Sequence, residues 1–595
     1  MTPEAQKEVY AWLGRNKMQP VNEPISGLPP RGYSRFKFEI MAAAVLFLMA
    51  ANLISVMLQK SITTDEIVLI PSAYYHWVDP SVNLIGQHPP LIKLLAGLPL
   101  LFLQPNEWKP ETIDPARTSD QHEWGYVMHF WQDNRPNFEL ISFWSRLPMI
   151  ALTLALGVLV YLFARDLFGP RAAVFAVSVF ALEPTILAHG RIVQTDIPAA
   201  FGLLLTVYAL WRYIRAPGWK NASFLGIAGA TALLAKYSML VVIPAIFVTL
   251  ALLFFLWEPR RKGVIRDAAL TALLLVVTIN AAYFFHNRTL TPGDLKWIGD
   301  VFPESASWFV TLVRLAGWIL PTDLIMGIYW QLHHARVGHP AGLLGMYRSH
   351  GWWYYFPVAF SLKATIPFLL LSVASLVWSV CRVIRNRERL WLILLLPFAL
   401  YTALLLASPI DIGVRYYLPA YVFLVILSAA LLDSLWRRRS TVARILALVA
   451  ILGMGLEAVR VYPNYIPYLN QLASARPQWW YLSDSNVEWG DDAKELASWL
   501  QTHGETRVRG LLLGCFATLD FYQINYVDAL AQTTDPPPRF TALGASFLNG
   551  STVPPYERDG KLVSDDARVN TFDSYRTRKP ETIIGNSIYV YRDAD

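Results

Sequence analysis

Residues 39–66 read EIMAAAVLFLMAANLISVMLQKSITTDE, an apolar run that ends on the carboxylates Asp65 and Glu66. About 20 apolar residues suffice for a helix to cross bilayer hydrocarbon, and no charge interrupts positions 40–59. The stretch therefore reads as a first membrane span with an acidic pair just beyond it. The same rule, applied outward, adds spans at 145–164, 172–189, 197–213, 221–236, 238–257, 268–286, 355–380, 390–407, 414–433 and 442–461, about eleven in all. Residues 91–103, LIKLLAGLPLLFL, are apolar but short and hold Lys93, which predicts an interfacial or re-entrant helix. Residues 221–257 are read as two helices turning at Lys236–Tyr237, and the parity of every later span depends on that turn.

Composition agrees with this reading. Of 595 residues, 54% are hydrophobic and 16% charged, which excludes a disordered chain or a cytosolic enzyme. The mean hydropathy is +0.34, and the many Trp, Tyr and Phe suit the interfacial belts of a polytopic membrane protein. Only Cys381 and Cys515 are present, too few for a disulfide framework or a thiolate zinc site.

The net charge of +7 invites a nucleic-acid reading, but it sorts by topology. Lys and Arg collect in cytoplasmic loops, and with odd spans running outward every short loop on one side is basic, from Arg165/Arg171 to Arg437/Arg438/Arg439. The N-terminus is then cytoplasmic and no nucleic-acid partner is expected. Three parts follow: a cytoplasmic segment 1–38 without a cleaved-signal pattern, a transmembrane domain 39–461 with outer loops 60–144 and 287–354, and an exterior soluble domain 462–595. In that last part DDAKELASWLQTHG has helical spacing, while RGLLLGCF and TIIGNSIYVYR read as strands, so its class is α/β.

Chemistry concentrates at the outer face. Asp65 and Glu66 stand among apolar residues, where bare charges are costly unless used or partnered; capping within SITTDE is the plainer alternative. Asp196, in AHGRIVQTDIPAA, suits an N-cap, but it shares a depth with Arg191, His189 and the acidic pair. His88 and Lys93, in QHPPLIKLL, form a cationic pair fit for a phosphate. Arg415, in SPIDIGVRYYLPAY, suits bidentate phosphate contact, with a local pair to Asp411 as the alternative. Lys363, in FSLKATIP, sits inside the eighth span at a cost of roughly 2.5–3.5 kcal/mol on the insertion scale, so it is expected to face a wet cavity or an anion. His333, His334, His339 and His350 match no familiar metal spacing. The acids of SDSNVEWGDD are explained by turns and caps.

On these residues the chain resembles the bacterial lipid-carrier-dependent glycosyltransferases related to protein O-mannosyltransferases, integral-membrane enzymes of the GT-C fold. Asp65-Glu66 is similar to that family's Asp-Glu pair, and His88-Pro89-Pro90-Leu91 with Lys93 to its HPPLGK segment; aminoarabinose transferases share a cation before the Pro-Pro. The resemblance implies a multi-pass protein of the bacterial inner membrane that transfers a sugar, with inversion, from a polyprenyl monophosphate to a hydroxyl or amine of a protein, lipid or glycan. It implies Asp65 as general base, Glu66 as its neighbour and Asp196 as second acid. His88, Lys93, Arg191, Arg415 and Lys363 would hold the donor phosphate. No cofactor and no metal are assumed. A transporter or flippase of lipid-linked sugars is the alternative; it lacks support from any two-fold sequence symmetry. A non-catalytic assembly protein would leave the three acids without a task.

Overall fold

The computed structural model describes residues 33–110, 119–256, 261–301, 306–531, 537–558 and 561–593. Most of the expected cytoplasmic segment 1–38 lies outside the described residues. Among the described residues nine helices are long and apolar enough to cross a membrane: Phe36–Gln59, Arg135–Phe168, Asp196–Arg215, Tyr237–Phe255, Lys262–Ala282, Ile366–Asn386, Arg389–Leu406, Val414–Arg437 and Thr441–Val461. The two other expected spans are shorter helices. Residues 219–235 form one of 17 residues, and the expected 172–189 span is two pieces, Pro170–Leu182 and Pro184–His189.

Proline explains the breaks. Pro184 forces Glu183 into extended backbone, which ends the first piece. The expected 355–380 span likewise divides: Tyr355–Lys363 stops, Ala364 and Thr365 are extended, and a new helix starts at Ile366 with Pro367 in its first turn. There Thr365 Oγ1 accepts from the Phe368 amide, satisfying a helix-end donor. The turn at Lys236 is present, so 219–235 and 237–256 are separate elements.

The helices are unequally enclosed. The hydrophobic windows of Val414–Arg437 and Asp196–Arg215 are 83% and 72% buried, whereas that of Thr441–Val461 is 22%, so the first two form the bundle's centre. Close crossing needs small residues: a side chain at Gly202 would strike the backbone of Ala232.

Residues 462–492 lie against the ends of other helices before the C-terminal sheet begins: the Asn470 amide donates to the Leu362 carbonyl, and the Trp489 and Asp491 carbonyls accept from the Thr64 and Ser61 amides. Strands β1 (Ala341–Leu343) and β2 (Met346–Arg348) form a hairpin in the 287–354 loop. The C-terminal part contains β3 (Arg507–Leu511), β4 (Asn525–Asp528), β5 (Phe540–Gly544), a small hairpin of β6 (Glu557–Arg558) and β7 (Lys561–Leu562), then β8 (Thr582–Ile584) and β9 (Ile588–Arg592). Its five-stranded sheet has the order β4-β3-β5-β9-β8, parallel through β4, β3 and β5 and antiparallel beyond. Gly585 and Asn586, both at positive φ, make the tight β8–β9 turn that such a pair favours. The helix Ala493–Thr502 buries Leu496 and Leu500 against this sheet, and Gly504 at positive φ follows its end.

Span parity is testable directly. In intact cells or sealed vesicles a membrane-impermeant maleimide should modify position 515 from outside and position 381 only after permeabilisation; labelling of both from one side would overturn the assignment.

Candidate active site at the ends of the spanning helices

The helix Thr64–Val78 starts where the first span ends, with Asp65 and Glu66 in its first turn, where acids are favoured. The two carboxylates then part. Glu66 points into the protein and accepts from the Thr63 amide at 2.8 Å, Arg146 Nε at 2.7 Å, Arg146 Nη2 at 2.5 Å and the Val193 amide at 3.0 Å. Burial raises its carboxyl, but the Arg146 charge and these donors hold it below the ordinary range. Arg146 also donates to the Lys60 and Ser61 carbonyls. Glu66 thus ties the first-span exit, the second span and the 189–196 corner together.

Asp65 faces the other way. Its Oδ2 lies 2.7 Å from Arg415 Nη1, which stands 3.8 Å from Asp196 Oδ2; Lys236 Nζ lies 2.5 Å from Asp196 Oδ1. Acid and cation alternate along the row Asp65–Arg415–Asp196–Lys236. The guanidinium of Arg415 sits 4.1 Å from the Trp489 ring centroid, and Lys236 Nζ 3.5 Å from that of Tyr416, so aromatic faces back both cations. Within the row the Asp65 side chain is the more open acid, 27% exposed against 2% for Asp196. Among the described residues, Arg415 Nε is buried without a hydrogen-bond partner, a donor in reserve. The alternative pair of Arg415 with Asp411 does not form. Asp411 Oδ2 instead accepts from the Trp352 amide at 2.6 Å, and Gly351, at φ +60°, leaves room for that carboxylate.

The other expected phosphate ligands are placed differently. Lys93 Nζ donates to Asn83 Oδ1 and to the carbonyls of Leu84 and Ile85, bracing the turn before His88. Lys363 ends the Tyr355–Lys363 helix and donates to the carbonyls of Ile466 and Asn486 at 2.6 and 2.7 Å, with the buried Glu183 carboxyl within electrostatic reach. Arg191 is paired with Asp491 at 2.6 Å, with Nε and Nη1 buried and unpartnered among the described residues. For His88, burial pushes the imidazole down to about 4, Asp65 opposing and Lys236, Lys93 and Arg415 reinforcing.

Three participants were not singled out from the sequence. In the sequence Lys236 marks only a turn, although an isolated lysine between apolar helices is the same kind of signal as Lys363. Tyr416 and Trp489 gave no signal. The tail acids do more than cap turns: Asp491 reaches Arg191, Asp492 pairs with Lys60, and the Trp489 carbonyl accepts from the Thr64 amide. Asp484 lies 3.8 Å from His339; burial pushes its carboxyl up, but His339 and Arg415 hold it below the ordinary range.

Residues 140–285 match the family model described as dolichyl-phosphate-mannose-protein mannosyltransferase. Over those residues the chain is similar to that family. The matched range contains Arg191, Asp196 and Lys236, while Asp65 and Arg415 lie outside it. No curated protein matches the chain. Among solved structures, the Archaeoglobus fulgidus oligosaccharyltransferase tethered with an acceptor peptide is similar at 14% identity and TM-score 0.45, covering 83% of this chain; the chain spans 64% of that protein. ArnT from Cupriavidus metallidurans bound to undecaprenyl phosphate is similar at 14% identity and TM-score 0.44, covering 89% of this chain and 97% of its own.

Proposed function

We propose that the protein transfers a sugar, with inversion, from a polyprenyl monophosphate to a hydroxyl or amine of a protein, lipid or glycan at the outer face of the bacterial inner membrane. The observation that carries this reading is the row Asp65–Arg415–Asp196–Lys236, which sets a partly exposed carboxylate beside two cations at the ends of spanning helices. Asp65 takes the proton of the attacking group. The acceptor atom bonds to the anomeric carbon from the face opposite the phosphate, and the bond from that carbon to the phosphate oxygen breaks. The electron pair stays on the departing polyprenyl phosphate, whose charge Arg415 and Lys236 receive. Asp196 keeps both cations in place, and Glu66 fixes the helix that carries Asp65. Lys93, Lys363, Arg191 and His88 shape the surrounding loops in this reading, with the unpartnered nitrogens of Arg191 the nearest thing to a further anion contact.

Arg415→Ala and Lys236→Ala test the phosphate assignment. Each should raise the donor KM severalfold and weaken binding of a polyprenyl monophosphate, while acceptor KM changes little. Unchanged affinity for the lipid phosphate in both variants would remove it. Reconstituted protein that moves the lipid-linked sugar across a vesicle without breaking the sugar–phosphate bond would favour the flippase alternative.

A further inference from the structure

One outer-loop helix has an apolar face that no described part of the chain covers. The helix Ala306–Ala316 buries Phe309 and Val313 in a cluster with Ile298, Ile325 and Tyr329. Trp308, Leu312, Leu315 and Ile319 recur at steps of four, three and four along the helix and the turn after it, and all are exposed, Leu315 by 65%. Trp318 beside them is 88% exposed. Ser307 and Arg314 lie on the remaining edge, also exposed. Three faces result: one on protein, one apolar and open, one polar. That division suits a helix lying in the plane of a membrane interface, with tryptophan at the headgroup level and a basic residue toward phosphate. The position agrees, because the helix falls between the spans Lys262–Ala282 and Ile366–Asn386, in the loop 287–354 that the charge pattern of the sequence assigns to the outer side.

We propose that residues 307–319 are seated in the outer leaflet and, through that seat, fix the helix Thr322–Val337 against Lys236. The second helix reaches the site by two contacts. Gly327 packs so closely on the Tyr237 ring, next to Lys236, that a side chain there would overlap it. Gln331 Nε2 donates to the Gln87 carbonyl at 3.2 Å, beside His88, and Tyr237 Oη donates to the Gly86 carbonyl at 3.1 Å. The partner is lipid, namely the acyl region and phosphates of the outer leaflet. The kinetic half of the proposal rests on the glycosyltransferase reading; the seating does not.

The test uses full-length protein carrying Cys381→Ser and Cys515→Ser, with single nitroxide labels at 307, 312 or 315, in vesicles of phosphatidylethanolamine and phosphatidylglycerol. Labels at 312 and 315 should favour collisions with oxygen over an aqueous nickel relaxant severalfold more than the label at 307, at a depth of about 5–10 Å below the phosphates. Labels at 312 and 315 as water-accessible as that at 307 would overturn the seating, whether or not transfer is observed. In the second arm, Leu312→Asp with Leu315→Asp should raise the donor KM severalfold while kcat at saturation holds. An unchanged donor KM would overturn the link to Lys236.

Discussion

Asp65→Asn should lower the turnover of sugar transfer by about 10²–10⁴-fold, the usual worth of a positioned general base, and leave the fold intact. Asparagine keeps the shape and the helix-start position but cannot take a proton from an acceptor hydroxyl. The electrostatics make a second, opposite forecast. Asp65 stands 2.7 Å from Arg415 and competes with any anion for that guanidinium. Removing its charge should leave binding of a polyprenyl monophosphate equal to the wild type or tighter. Single-turnover rates with titrated lipid phosphate separate the two quantities. Turnover within threefold of the wild type would reject Asp65 as the base, and a large loss of lipid affinity would reject Arg415 as a phosphate ligand already occupied by Asp65.

The difference between what sequence could and could not reveal follows from how far each partner lies along the chain. Asp65, Asp196 and Arg415 were legible because each is a charge at a span end, where depth alone makes it costly, and the structure brings all three into one row. Spans were legible for the same reason, since length and apolarity are local. Their interruptions followed prolines that sequence also shows, at Pro184 and Pro367, but the apolar run masked them. Charges that proved to be braces were not legible. Arg191 is paired with Asp491, 300 residues away, and Lys363 donates to carbonyls 103 and 123 residues away. No window of sequence contains such a pair, so each reads as an uncommitted cation. The docking of 483–492 onto the helix ends was hidden likewise, because its acids are answered by Lys60 and Arg191 from other elements. Within that segment, burial pushes the Glu488 carboxyl up to about 8, opposed by the Leu513 and Ser546 amides that donate to its two oxygens.

Glu66 and Arg146 carry the largest expected effect on stability. Both side chains are at most 2% exposed, and they meet through two short hydrogen bonds. Breaking a buried pair by removing one partner strands the other charge and costs about 3–5 kcal/mol. Glu66→Ala should therefore lower the unfolding temperature in lipid nanodiscs sharply, and Arg146→Ala by a comparable amount. Removing both charges while keeping volume, as in Glu66→Gln with Arg146→Met, should recover much of that loss, since a buried pair is often replaceable by well-packed neutral groups. The same pair of measurements separates two roles for Glu66. If it only positions Asp65, activity per folded molecule should return with stability in the double variant. If activity stays lost while the unfolding temperature recovers, Glu66 takes part in the chemistry itself, and its saturated ring of donors would have to open during turnover. The geometry favours the first outcome: five hydrogen bonds already converge on its two oxygens, from the Thr63 amide and hydroxyl, Arg146 Nε and Nη2 and the Val193 amide, which leaves its lone pairs committed.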